Sequence, residues 1–143
     1  MKILISACLL GCSCRYDGGT KPCAAAIQLK ERHQLIPVCG EQLGGLKTPR
    51  TPCERIGDKV MSIDGADRTK EYMHGAQQAA MLYDLLECDC AVLKARSPMC
   101  GSNMIYDGTF AGKLCEGNGV LAELLKSRGV KVYTEDEIDL LKE

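Results

Sequence analysis

Short apolar runs alternate with longer amphipathic stretches along this chain, the pattern expected of a parallel α/β sheet. Residues 2–8 form the first predicted strand, with Ile3, Leu4 and Ile5 as an unbroken apolar run. Residues 24–33 suit a helix, and residues 34–39 a second strand. Residues 59–63 alternate briefly, as an edge strand or hairpin arm would. The longest predicted helix covers residues 69–87, where Tyr72, Met73, Ala76, Ala79, Ala80, Tyr83 and Leu86 recur at helical spacing. Residues 91–94 are the third core strand. Residues 120–127 read as a helix with Gly129 as its C′ residue. Residues 130–133 are the last strand, and Thr134 with Glu137 fits a capping box that starts a final helix.

Three stretches lack periodicity: 9–22, 40–58 and 96–118. All are rich in Gly, and the last has a small predicted hairpin around Asp107-Gly108. Loops this long inside a compact domain are commonly functional. The expected architecture is α/β: a mostly parallel central sheet flanked by helices, Rossmann-like, in three layers. No repeat, linker or low-complexity tract divides it, so residues 1–143 read as one domain.

Composition narrows the function. Apolar residues make up 45% of the 143 positions, ample for a core, and a net charge of −1 with no basic run argues against nucleic acid as a partner. No apolar stretch approaches the roughly 20 residues that span a bilayer. Nothing points to a membrane, and the start is too short in apolar length for a signal peptide. The sequence leaves homodimerisation open. Ten cysteines in a chain able to fold on its own core suggest metal binding or catalysis in a reducing cytoplasm rather than a disulfide framework.

Three of those cysteines, Cys8, Cys39 and Cys100, each follow an apolar, strand-like run and precede a Gly-containing loop. In an open parallel sheet the carboxyl ends of different strands share one edge, where ligands bind. The three thiols are 31 and 61 residues apart, so no local motif joins them, and the signal is positional. The alternative is three separately buried small hydrophobes. Ser97 as N-cap with Pro98 behind it would set Cys100 at the electropositive start of a helical turn, which lowers a thiol's pKa. An ordinary Ser-Pro turn explains the same residues.

Glu41 would lie at the same rim as Cys39, placed to act as a general base, or merely solvated. Arg15, Tyr16, Asp17, Arg50, Tyr106 and Asp107 belong to the rim loops as substrate-binding candidates, although Asp17-Gly18 and Asp107-Gly108 are also strong turn formers. Cys12, Cys14 and Cys53 fall in rim loops as candidates for a fourth ligand. His33 and His74 lie in predicted helices away from the rim, which argues against a Cys–His nucleophile.

Several blocks together resemble one family. They are residues 6–11 with Arg15-Tyr16-Asp17-Gly18; Pro37-Val38-Cys39-Gly40-Glu41 with Gly44-Gly45-Leu46 and Pro49-Arg50; Leu93-Lys94, Ser97-Pro98 and Cys100-Gly101-Ser102; and residues 105–110. This set is similar to the DUF523 family, which includes thiouracil desulfidases, and it covers nearly the whole chain. The resemblance implies a 4Fe–4S cluster held by Cys8, Cys39 and Cys100 with one iron left open, and prone to loss in air. It maps the family's acidic residue to Glu41 and its serine to Ser97. The expected activity is non-redox, hydrolytic desulfuration of a thiolated small molecule such as thiouracil, releasing hydrosulfide. Glu41 would activate water, and Ser97 or the N–H groups of Gly101 and Ser102 would steady developing charge. Two departures stand out: Gly40 where the family usually has Pro, and Met99 where it usually has Ser. The competing reading is a non-catalytic metal-binding or thiol-redox module.

Overall fold

The computed structural model describes residues 1–141. Ile3, Leu4 and Ile5 are all fully buried in β1 (Lys2–Ser6). Successive side chains of a strand point to opposite faces, so an unbroken apolar run requires cover on both. The chain makes a 3-10 turn at Ala7–Leu10, passes through α1 (Ala24–Gln28) and returns as β2 (Gln34–Val38). α2 (Gly40–Leu43) leaves the end of β2 directly. A hairpin of β3 (Cys53–Ile56) and β4 (Lys59–Ser62) leads into the long α3 (Thr69–Leu85). Then follow β5 (Cys90–Leu93), the hairpin of β6 (Met104–Tyr106) and β7 (Leu114–Glu116), α4 (Val120–Ser127), and β8 (Val132–Thr134). A 3-10 segment, Glu135–Leu140, comes last.

Four strands make one parallel sheet in the order β2-β1-β5-β8. Leu4, Ala91 and Leu93 pack on one face with Ala76, Leu121 and Leu125 of α3 and α4. Ile3, Ile5 and Val92 pack on the other with Leu9, Ala26 and Ile138. This is the three-layer α/β arrangement the sequence implies. Because the strands run one way, Ser6, Val38 and Leu93 end at the same edge. The chain winds outward from β1 in both directions, so the topological switch lies between β1 and β5, where such folds open a crevice. β2 is an outermost strand, and Pro37 within it pairs with Ile5. Proline is tolerated in a strand where its missing N–H faces outward.

Several elements differ from the sequence expectation. The helix expected over 24–33 is one α-helical turn continued by a 3-10 turn, Leu29–Glu31, which leaves His33 beside the N-terminus: its Nδ1 is 3.1 Å from the Met1 amino group. The loop expected over 40–58 contains α2 and β3. The capping box at Thr134 is present, with Asp136 N–H donating to Thr134 Oγ1 and Thr134 N–H to Glu137 Oε1, but it opens a 3-10 helix. Glu135 is drawn back to the sheet edge, where it accepts from Ala95 N–H at 2.6 Å and pairs with Lys94.

α2 and α3 pack almost backbone to backbone. A Cβ on Gly75 would come within 1.8 Å of Gly40 O, and one on Gly44 within 2.0 Å of Glu71 O. Only hydrogen fits at these positions, and the contact ties α2, with the end of β2, to the longest helix.

Candidate metal centre

Three segments carry thiols from the sheet edge into one cavity of about 390 Å³. Cys8 lies in the 3-10 turn after β1, closed by Gly11 at φ 103°. Cys39 is the N-cap of α2. Cys100 ends a single turn at 98–100, where Ser97 Oγ accepts from Met99 N–H at 3.0 Å and Cys100 N–H at 2.9 Å, with Gly101 N–H returning to Ser97 O. Ser6 ties the switch point together, accepting from Lys94 N–H at 2.9 Å and donating to Cys100 Sγ at 3.4 Å.

The donor set is soft and concentrated. Among the described residues, no group of three or more His, Cys, Asp or Glu side chains stands close enough to hold a single metal ion. Cys8, Cys39 and Cys100 nonetheless line one cavity, near enough for their charges to act on one another, and thiolate is the ligand that iron–sulfur clusters take.

Burial governs the protonation of these thiols. It pushes Cys8 up to about 11 and Cys39 up to about 12, with the nearby Glu41 carboxylate adding to both. Lys94 and Arg15 oppose the rise at Cys8, and Arg50 at Cys39. Cys100 is raised well above the ordinary thiol value, again by burial first and Glu41 second, with the Ser6 hydroxyl opposing. The expectation of a Cys100 thiol lowered by a helix start is therefore overturned. One turn of backbone does not offset full desolvation.

Glu41 is the buried charge of the site. Arg50 Nη2 donates to its Oε2 at 2.8 Å, and the side chains of Glu41 and Arg50 are only 16% and 7% exposed, respectively. Burial raises the carboxyl above its ordinary range, and Arg50 works against that rise. The same Glu41 oxygen lies 3.9 Å from Cys39 Sγ. Arg50 Nη2 also donates to Cys14 O at 2.8 Å, so one guanidinium joins the loop after β1 to α2.

The cavity collects most, not all, of the sequence candidates. Arg15, Tyr16, Glu41, Arg50, Ser97 and Tyr106 line it, with the three thiols. Asp17, Gly101, Ser102 and Asp107 do not, and Asp107 instead accepts from Thr109 in its own turn. Asp17 is exposed and accepts from Gly19 N–H in its own turn, the structural role its Asp-Gly context offers. Gly101 packs so tightly that a Cβ would meet Ser97 O and Ile105 at 2.8 Å, and Ser102 is buried away from the cavity. Of the spare cysteines, Cys14 and Cys53 line the cavity and Cys12 is exposed outside it.

Lys94, Glu54 and Tyr72 also line the cavity without having been singled out as site residues. Lys94 directly follows β5, so the strand-end rule that found the thiols applies to it. Glu54 Oε1 accepts from Gly108 and Phe110 N–H, pinning the β6–β7 turn beside the cavity mouth. Tyr72 reads as core on its helix face and is buried, yet it interacts with the Cys53 thiol. No sequence signal separates it from the other core positions.

A parallel sheet whose carboxyl edge gathers three thiols and an Arg-paired carboxylate into one cavity defines an α/β domain built around a thiol-lined pocket. The chain belongs to the 2-thiouracil desulfurase family, whose model matches residues 3–137. It is similar to YbbK, an uncharacterized protein of Bacillus subtilis (strain 168). The two are 38% identical over 147 aligned positions, covering 96% of this chain and 97% of that protein. It also matches the solved structure of the [4Fe-4S]-dependent thiouracil desulfidase TudS (DUF523Vcz), with a TM-score of 0.90 and 40% identity, over 98% of this chain and 94% of that one. Among the described residues, no helix is long and apolar enough to cross a membrane.

Proposed function

We propose that this protein is an iron–sulfur-dependent desulfidase that converts a thiolated pyrimidine, such as 2- or 4-thiouracil, to the oxo compound. Thiocarbonyl and water become carbonyl and hydrosulfide, with one proton released and no net electron transfer. The observation that carries the reading is the convergence of Cys8, Cys39 and Cys100, from three separate strand ends, on the cavity that holds Glu41. Those three thiols would hold a 4Fe–4S cluster. When bound, the cluster supplies a Lewis-acidic iron with affinity for the departing sulfur.

The chain's own residues supply the rest. Glu41 takes the proton from the attacking water. Burial raises its basicity toward neutral pH, which is the direction a general base needs. Arg50 fixes the carboxylate and favours its ionised form against the effect of burial. Ser97 Oγ already accepts two N–H bonds, so its own hydroxyl proton is left to donate into the cavity. Arg15 and Tyr106 sit at the mouth, placed to orient the pyrimidine edge. Ten free thiols suit a reducing cytoplasm.

The test is anaerobic reconstitution with iron and sulfide, followed by metal and acid-labile sulfide analysis and a hydrosulfide-release assay with 2- and 4-thiouracil. The expected result is a brown protein with activity lost in Cys8→Ala, Cys39→Ala and Cys100→Ala. A colourless protein, or one that binds zinc with activity in none of these assays, overturns the reading and favours a metal-binding or thiol-redox module.

A further inference from the structure

Gly40 and Met99 meet in space. A Cβ built on Gly40 would lie 2.7 Å from both Met99 Cγ and Sδ and 2.9 Å from Cε. Gly40 is the first residue of α2 and its φ is not positive, so its backbone does not require glycine. Proline and most other residues are well suited to a first helical position. What excludes a side chain there is the Met99 thioether, which occupies that volume.

Met99 itself has nowhere to retreat. It is fully buried, its N–H is held by Ser97 Oγ, and its carbonyl accepts from Leu121 N–H at 2.8 Å. Gly119 presses on the same peptide, where a Cβ would come within 2.4 Å of Met99 C. The side chain is thus a strut from the Cys100 turn to the residue after Cys39. Each end of the strut is one residue from a thiol that faces the cavity.

We propose that Met99 is a positioning residue, wedged against Gly40 to fix the separation between the Cys39 and Cys100 thiols, a role that rests on the desulfidase reading above. Methionine suits the task because an unbranched thioether fills an irregular gap without adding a polar group. The pair is matched: a larger residue at 40 needs a smaller one at 99, and removing Met99 alone leaves both thiol turns unsupported.

The experiment is a double-mutant cycle on the full chain with Gly40→Ala, Met99→Ala, their combination, and Met99→Leu as the conservative variant. Two measurements are taken: iron and acid-labile sulfide per chain after anaerobic reconstitution, and alkylation of Cys39 and Cys100 in metal-free protein, mapped by mass spectrometry. Met99→Ala is expected to retain cluster about tenfold more weakly, the usual scale for groups that orient ligands, and to expose Cys100 to alkylation. Met99→Leu stays near wild type, and the double variant recovers part of what Gly40→Ala alone loses. A Met99→Ala protein that holds iron and protects Cys100 as well as wild type overturns the proposal. So does a melting temperature that falls while both measurements stay unchanged, or a double variant equal to the sum of the singles. If wild type takes up no cluster, the desulfidase reading fails, and Cys100 alkylation still decides what Met99 does.

Discussion

Arg50 reaches Glu41 and Cys14 with the same nitrogen, at 2.8 Å to the Glu41 carboxylate and 2.8 Å to the Cys14 carbonyl. Replacing it with Gln leaves a buried carboxylate without its cation, a loss of about 3–5 kcal/mol if the charge remains. The alternative is protonation. Arg50 opposes the burial that raises the Glu41 carboxyl, so removing it raises the carboxyl further. Activity that needs the ionised form disappears as pH falls through that pKa. The acidic limb of the kcat/KM profile is therefore expected at higher pH in Arg50→Gln. Arg50→Lys recovers only part, since a point charge does not span both partners. An acidic limb that stays in place shows that Glu41 is not the group being titrated.

The raised thiols predict how the metal-free protein behaves with pH. With Cys8 near 11 and Cys39 near 12, both are neutral at pH 8, and the exposed Cys12 reacts first with iodoacetamide. Modification of Cys8 and Cys39 should climb about tenfold per pH unit, following the thiolate fraction. The sign for stability is fixed by the same shift. Stability is fully present below the ordinary thiol value of 9.0 and is lost as pH rises through 11 to 12. Melting temperatures of metal-free protein between pH 8 and pH 11 test this, and a flat profile contradicts it.

Gly75→Ala tests the link between packing and the site. Its added methyl would fall 1.8 Å from Gly40 O, so α2 must move away from α3. The expected cost is about 1–3 kcal/mol or more. Because Cys39 caps α2 and Glu41 lies in it, iron retention should fall as well. A variant that is destabilised yet binds a full complement of iron would show the two to be independent.

Glu54→Ala removes the acceptor for Gly108 and Phe110 N–H. Freeing that turn costs about 1–3 kcal/mol locally for the unpaired donors, or less where water replaces the carboxylate. Tyr106 and Gly112, both cavity-lining, belong to that hairpin. With 2-thiouracil as trial substrate for the proposed reaction, KM should rise several-fold with a smaller change in kcat. An unchanged KM would place the turn outside substrate recognition.

The sheet was legible in the sequence because β1 and β5 are buried on both faces and so read as unbroken apolar runs. The three thiols were legible for the same reason, since strand ends in a parallel sheet share an edge whatever their separation in the chain. Four residues of α2 are too few to display a period, and Gly40 is glycine on account of Met99, 59 positions away. Tyr72 sits at a helical spacing shared with the core residues around it, and only its tertiary contact with Cys53 marks it as part of the site. Capping of the Cys100 turn is visible in Ser97-Pro98, whereas its desolvation depends on residues remote in the chain, such as Ser6 of β1.

Pro37, in the outermost strand, lies two residues before Cys39. A second molecule trying to continue the sheet there would face a backbone lacking one of the donors it needs, and β8 on the far side offers only three residues. Both flanks of the sheet thus resist templating by a stray polypeptide. The sulfur-bearing rim is guarded against entanglement by the strand that delivers one of its thiols.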